Sequence, residues 1–369
     1  MILHLIVESQ FTDYVINQFS APEMHSEVVI IHAENYIKHE FQKDKVRVVV
    51  PFSEDFYRLL ASLAHYSAVV LHGLFQPWCE AVLRNVPQNV KVAWVFWGGE
   101  IYGRKDLRES FLSKRSKWLL RIQNVKRIIK KKKRTNNYEL PLELFHRIDY
   151  CLTDVQEDYE FVKSYCGFEA KELWYNYYSV DETLGELITQ SVDGNNILVG
   201  NSCTIENNLL DGLRAIRGKA DSNSKIIVPL SYGEPWLREV VMKVGKCMFG
   251  KQFQPLVEFI PRKEYNNLIK SCAVAIMPHY RPQAFGNILT ALWLGTRVYM
   301  SEKSLLYQFF KRIGTIVFSI EKDLAPCSKL PLAPLAEEER NQNRAVIASL
   351  YDKGVMNIKI KELVSVLNG

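Results

Sequence analysis

No run in this 369-residue chain approaches the roughly 18 uninterrupted apolar residues of a membrane-spanning helix. The opening MILHLIVESQF turns polar early and has no basic lead, so no secretory signal is expected there. Cysteine is sparse and scattered: Cys79, Cys151, Cys166, Cys203, Cys247, Cys272 and Cys327 form no CxxC pair, which argues against a zinc cage and a disulfide framework. They are expected to be reduced, mostly packed thiols. Also missing are a GxGxxG fingerprint and a Walker sequence, which counts against a dinucleotide dehydrogenase and an NTPase. No Asp-x-Asp pair follows an apolar run to hold a metal ion against phosphates, so neither metal nor cofactor is expected. Solenoid repeats are absent, and KKKKR is the one low-complexity tract.

What is present is an ordinary globular balance, 47% hydrophobic and 24% charged, with enough length for two domains. The net charge of +6 is local: Lys114–Arg134 holds eleven Lys or Arg and no acid, leaving 36 basic against 41 acidic residues elsewhere. Apolar, β-branched runs recur at Ile2–Val7, Val28–His32, Val46–Val50, Ala68–His72 and Val90–Phe96. A second series runs NILVGNS, KIIVPLS, VEFI, AVAIMPH, TRVYMS and TIVFS from residue 196 onward. Most lack the polar alternation of a strand with one wet face, and helix-sized intervals such as Asn207–Ile216 and Pro235–Val244 separate them. That pattern predicts parallel sheets covered by helices, an α/β fold of two doubly wound units. The turn signal Asp193-Gly194-Asn195 puts the hinge near 185, giving units 1–185 and 186–369. Helical tails at Glu337–Leu350 and Asn357–Leu367 are candidates to cross back to the first unit.

Ligands of open parallel sheets bind beyond the carboxyl ends of the strands, so the residues that follow each run matter most. In the second unit these are Gly200-Asn201-Ser202, Ser231-Tyr232-Gly233, and the stretch from His279 to Asn287. Gly286 and Asn287 open an apolar helix, with Arg281 upstream. Free backbone N–H groups, a helix dipole and a cation suit a diphosphate. Taken alone, Arg281 is more often a solvated loop charge than a ligand, and Asn201 or Ser202 more often a helix cap; three such junctions in one unit shift the balance toward a diphosphate site. In the first unit, LHGLFQPW places His72 and Gly73 after a run, and VAWVFWGGEIYG places Trp97, Gly98, Gly99, Glu100 and Tyr102 after another. A carboxylate beside a flexible Gly-Gly pair and aromatic rings suits an acid that takes a proton from a hydroxyl. The plainer alternatives are a first-turn helix acid for Glu100 and a packed core-edge imidazole for His72.

Within the basic segment Phe111, Trp118, Ile122, Val125 and Ile129 fall at helical spacing with Lys and Arg mostly at the sides. That is the pattern of a helix lying on an anionic membrane surface, with Trp118, Arg121 and Lys130, Lys131, Lys132 and Lys133 as contacts. A core helix with a basic outer face and a nucleic-acid contact are the competing explanations.

The succession HGLFQPW, FWGGEIY, LVGNS, VPLSYG and IMPHYRPQAFGNI resembles, in matching order, the 4-acetamido-4,6-dideoxygalactose (Fuc4NAc) transferases of enterobacterial common antigen synthesis. The resemblance implies a GT-B glycosyltransferase, two Rossmann-like lobes facing a cleft, that moves a sugar from a dTDP-activated donor to a polyprenyl-diphosphate-linked glycan. It also implies a peripheral protein on the cytoplasmic face of the inner membrane, with nucleotide sugar, lipid-linked acceptor and anionic surface as partners and no nucleic acid. By position Gly200, Asn201, Ser202, Ser231, Tyr232, Gly233, Pro261, Arg281, Gln283, Gly286 and Asn287 would line the donor site. Gly73, Trp97, Gly98, Gly99 and Tyr102 would face the acceptor, with Glu100 or His72 as the base; Glu100 stands where the family usually has aspartate. A GT-B transferase with a UDP or GDP sugar and a non-enzymatic membrane- or RNA-binding module are the alternatives.

Overall fold

The computed structural model describes residues 1–32, 46–129, 138–324 and 333–369. The chain divides into two compact units and passes between them more than once. The first comprises Met1–Arg104, Thr135–Ser179 and Gly354–Gly369, and the second Lys105–Arg134 and Val180–Lys353. The basic segment that sequence order assigned to the first unit therefore belongs to the second by its contacts.

The first unit is built on a seven-stranded sheet of β1 (Ile2–Val7), β2 (Ser26–Ile31), β3 (Arg47–Val49), β4 (Ala68–His72), β5 (Lys91–Val95), β6 (Tyr150–Leu152) and β7 (Lys171–Leu173). Its order is β3-β2-β1-β4-β5-β6-β7 and every pairing is parallel. The central strands are buried on both faces, which is why their sequences are unbroken apolar runs. Val15, Ile16, Phe19, Val70, Val95 and Leu152 fill one core, and the last helix (Lys353–Asn368) adds Ile360, Leu363, Val364 and Leu367 to it. The two short strands β6 and β7 carry too few apolar residues to stand out in the sequence.

The second unit has a six-stranded parallel sheet of β8 (Asn196–Val199), β9 (Ile226–Pro229), β10 (Phe253–Leu256), β11 (Cys272–Met277), β12 (Arg297–Met300) and β13 (Phe318–Ser319), ordered β10-β9-β8-β11-β12-β13. The expected VEFI strand is displaced: FQPL immediately before it forms β10, and Val257 and Phe259 are exposed beyond its carboxyl end. Pro255 is tolerated because β10 is an edge strand.

The helix Lys114–Ile129 packs Leu119 and Leu120 on the second unit's core together with Leu112, and buries Ser116. Its other face leaves Trp118, Val125, Ile128 and Ile129 exposed, Trp118 by 62% and Ile129 by 74%. Of the stripe picked out by spacing, Trp118, Val125 and Ile129 thus face solvent, Ile122 is half-buried, and Phe111, ahead of the helix, is buried. Lys130, Lys131, Lys132 and Lys133 lie outside the described residues. No helix among those residues is long and apolar enough to cross a membrane.

Candidate active site

In the second sheet the strand order reverses between β8 and β11, the kind of switch point at whose carboxyl edge open parallel sheets bind ligands. Three sequence-predicted loops sit at this edge. Gly200 ends β8 at φ +68°, and a side chain there would strike Leu209 and stand 2.7 Å from Asn207 Oδ1. Asn207, fully buried, donates from Nδ2 to Asn201 Oδ1 at 2.6 Å and to Ser202 Oγ at 2.9 Å, so it shapes the loop that sequence singled out. Nothing in the sequence marked Asn207 except a place in a helical interval.

After β9, Cys203 bridges to Gly233, whose φ of +122° brings its backbone against the Cys203 carbonyl where a Cβ has no room. The Cys203 N–H donates to the Tyr232 carbonyl at 2.7 Å. The β8 and β9 loops are thereby laced together. Tyr232 projects into solvent at 75% exposure, and Arg238 Nη2 donates to the Ser231 carbonyl at 3.2 Å. Pro261 is exposed at the start of helix Arg262–Lys270, in the loop that follows β10. Phe259, in the same loop, is 85% exposed and went unremarked in the sequence because it was assigned to a buried strand.

The loop after β11 carries the strongest chemical signal. His279 is fully buried, and desolvation, with the Arg281 cation nearby, lowers its pKa to about 4 against the opposing hydrogen bond. A neutral imidazole facing the Arg281 carbonyl at 3.0 Å must carry its hydrogen on Nδ1, so His279 pins the backbone of the loop. Ala284 takes left-handed φ +64° to start helix Phe285–Leu294. The first-turn N–H groups of such a helix, here including Gly286 and Asn287, have no intrahelical acceptor. Arg281 Nε and Gln283 Nε2 are buried without a hydrogen-bond partner among the described residues. Donors in that condition cost free energy until an acceptor arrives, about 1–3 kcal/mol each for a buried neutral group and more for a charged one. Backbone amides, a guanidinium and a carboxamide facing nothing are what a diphosphate requires.

The first unit's candidates are arranged differently. His72 ends β4 at 1% exposure, with Nε2 3.1 Å from His4 Nδ1 and Nδ1 2.9 Å from Tyr177 Oη. Burial, followed by the neighbouring His4, holds His72 well below the usual histidine pKa, and burial lowers His4 to about 3. Both ring nitrogens of His72 are engaged, so it is a packed imidazole with no face for an acceptor. Tyr102 is fully buried with its hydroxyl donating to Asp158 Oδ1 at 2.6 Å, and serves this unit's core. Trp97 is half-buried, its indole N–H donating to Tyr177 Oη at 2.5 Å, and Gly73 and Gly98 take positive φ on either side of it. Glu100 lies in the first turn of Gly99–Tyr102. Its Oε1 accepts from Trp94 Nε1 at 3.1 Å and from the Trp97 backbone at 3.0 Å, which fixes the orientation of the buried carboxylate.

A surface cavity of about 500 Å³ lies among Met1, Ser26, Glu27, Val28 and Arg47 at the amino ends of β1–β3, the edge opposite to the one that binds ligands in such sheets. Among the described residues no three His, Cys, Asp or Glu side chains gather as a metal cage.

Residues 146–325 match the family described as 4-alpha-L-fucosyltransferase, glycosyl transferase group 56. Over its whole length the chain is similar to solved glycosyltransferase structures. A glycosyltransferase from Rickettsia africae ESF-5 aligns with TM-score 0.66 at 11% identity, covering 99% of this chain and 98% of that one. The lipopolysaccharide outer core galactosyltransferase WaaB, in its apo form, gives 0.65 at 10% identity with 99% of each chain covered. Anabaena HepE in complex with UDP-glucose gives 0.61 at 11% identity, covering 99% and 100%. At such identities the structural likeness speaks for the fold, and it is the family match that speaks for the activity. The protein has the GT-B fold, and the match of residues 146–325 to group 56 marks it as a glycosyltransferase, a hexosyltransferase.

Proposed function

We propose that the protein transfers a 4-acetamido-4,6-dideoxyhexose from its dTDP-linked form to a polyprenyl-diphosphate-linked glycan, without a metal ion, as a peripheral protein on the cytoplasmic face of the inner membrane. The observation that carries the donor assignment is the pair of partnerless buried donors, Arg281 Nε and Gln283 Nε2, at the entrance to helix Phe285–Leu294. Support for a nucleotide-sugar donor also comes from HepE, a neighbour in fold described with UDP-glucose.

In the reaction the acceptor oxygen bonds to the anomeric carbon while the bond from that carbon to the diphosphate breaks, and the electron pair departs with dTDP. The Arg281 guanidinium and the helix amides neutralise the charge that develops on the leaving diphosphate. The acceptor's hydroxyl proton passes to the Glu100 carboxylate, which Trp94 and Trp97 hold in one orientation. His72, sealed between His4 and Tyr177, has no part in that transfer. Membrane attachment is supported by the outward stripe of Trp118, Val125, Ile128 and Ile129 with Lys114, Lys117, Arg121 and Lys126 around it, each basic residue contributing about 1 kcal/mol near anionic lipid.

The decisive experiment is thermal denaturation of the full chain with dTDP, UDP, GDP or ADP at millimolar concentration. A ligand at 100 times its Kd stabilises by about 2.7 kcal/mol, a shift of several degrees at most for a protein of this size. The largest shift is expected with dTDP. A larger shift with UDP or GDP reassigns the donor, and no shift with any of them removes the nucleotide-sugar assignment.

A further inference from the structure

The short turn Ile205–Asn207 and the residue after it join two regions with separate tasks. Asn207 and Asn208 are both buried, at 0% and 1% exposure, and Asn208 adopts the left-handed φ of +51° that asparagine tolerates better than most residues. The Asn207 carboxamide holds Asn201 and Ser202 of the β8 loop. The Asn208 carboxamide holds the start of the basic helix: its Oδ1 accepts from the Ser113 N–H at 2.9 Å, and its Nδ2 donates to the Phe111 carbonyl at 3.3 Å. The same Nδ2 reaches the Pro278 carbonyl at 3.4 Å, directly before the His279–Gln283 loop.

Charged neighbours reinforce the junction. Arg108 pairs with Glu206 and reaches Glu234 Oε1 at 3.3 Å, while Glu234 Oε2 accepts from the Ile205 N–H at 2.9 Å. Asp211 accepts from Ser113 Oγ and pairs with Arg115, and Ser113 Oγ in turn caps the helix by accepting from the Ser116 N–H. All of these residues lie in the second unit. The β9 and β11 loops are thus tied through Glu234 and Asn208 to residues at or just before the start of the basic helix, and the β8 loop through the adjacent pair Asn207 and Asn208.

We propose that seating of the basic helix and occupation of the donor loops are thermodynamically linked through Asn207 and Asn208, so that the protein binds a nucleoside diphosphate more tightly on an anionic membrane than in solution. The inference rests on the donor and membrane assignments made above. Its sign follows from shared ordering. A ligand that fixes either end of this network restricts side chains that the other ligand also needs fixed, and the second to bind meets a smaller entropic cost. Linkage is reciprocal, so dTDP must strengthen membrane binding by the same factor.

The test is calorimetric titration of the full chain with dTDP, in solution and on vesicles of phosphatidylcholine containing phosphatidylglycerol, with vesicle pelleting measured in parallel. Coupling of ordinary size tightens the wild-type Kd at least about 5-fold on the vesicles. The variant Asn208→Gly, which keeps the left-handed backbone but removes the carboxamide joining Ser113 and Phe111 to Pro278, should still bind dTDP in solution and pellet with the vesicles yet lose that gain. Equal wild-type Kd values with the protein vesicle-bound overturn the linkage alone, as does a variant that keeps the full gain. Absence of dTDP heat overturns the linkage together with the dTDP assignment, and absence of pelleting overturns it together with the membrane assignment.

Discussion

The two units solve the same topological problem and leave their strand ends in opposite chemical states. At the carboxyl edge of the first sheet three polar side chains are bonded within the unit: His72 lies between His4 and Tyr177, Tyr102 holds Asp158, and Trp97 donates to Tyr177. At the corresponding edge of the second, Arg281 and Gln283 keep buried donor atoms with no partner. A satisfied network positions a few groups firmly, whereas unsatisfied donors hold free energy that an incoming anion releases. The difference is the ground for the division of labour proposed above, in which the second unit would grip a diphosphate and the first would present a fixed carboxylate.

The sharpest way to break that division is to alter the carboxylate. Glu100→Gln retains the shape and one acceptor oxygen for Trp94 and Trp97 but cannot take a proton. Turnover should fall at least ~10²-fold, the lower end of general-base contributions, while the Kd for dTDP stays near wild type. Near-normal turnover would show that no first-unit base is needed.

On the other side of the comparison, Arg281→Ala removes the cation from the anion site. A charge-assisted hydrogen bond contributes about 1.5–3 kcal/mol, so the dTDP Kd should rise roughly 10- to 100-fold. Arg281→Lys should recover only part, since an ammonium lacks the guanidinium's fork. Unchanged affinity for Arg281→Ala would reduce Arg281 to a loop charge.

How much of this was legible beforehand follows from the range of the interactions. Strands buried on both faces announce themselves, and β1 and β4 run from Ile2 to Val7 and from Ala68 to His72 as their sequences suggest. Strands of three residues such as Tyr150–Leu152 and Lys171–Leu173 hold too few side chains to set a period. The junction glycines were legible because Gly200 and Gly233 occupy backbone conformations that other residues adopt only with strain. The unit to which the basic segment belongs was not, because single polar residues nearly a hundred positions away, Glu206, Asn208 and Asp211, decide it. Periodicity found the apolar stripe on that helix, but Leu119 and Leu120 settle which face turns inward.

A smaller effect probes the sealed state of the first unit through pH. His4 in the folded chain takes a proton only near pH 3, because burial disfavours the cation, whereas an unfolded histidine does so near 6.5. The unfolded state therefore binds more protons below pH 6.5, and the stability from keeping His4 neutral is complete above that pH and drains away as pH falls. Between pH 7 and pH 5 the loss amounts to about 2 kcal/mol for one such residue. His4→Gln, which can still bond to His72, should flatten the fall of melting temperature over that interval by this amount. An identical fall in both proteins would mean that the His4–His72 pair is not held neutral.

The smallest effect on stability is expected where the two faces of helix Lys114–Ile129 are compared. Leu119 is buried on the second unit's core, and Leu119→Ala should cost about 2 kcal/mol or more in denaturant unfolding. Trp118 is the adjacent residue and more than half exposed. Trp118→Ala should change stability by no more than about 0.5 kcal/mol, as surface substitutions usually do. Yet an indole withdrawn from water into the lipid interface is worth on the order of 1–2 kcal/mol, so the same variant should partition onto anionic vesicles roughly 10-fold less well. A Trp118→Ala protein that is as stable as wild type and pellets with vesicles just as well would leave the outward stripe without a membrane to meet. The charge of Arg121 and its neighbours would then be no more than a solvated face.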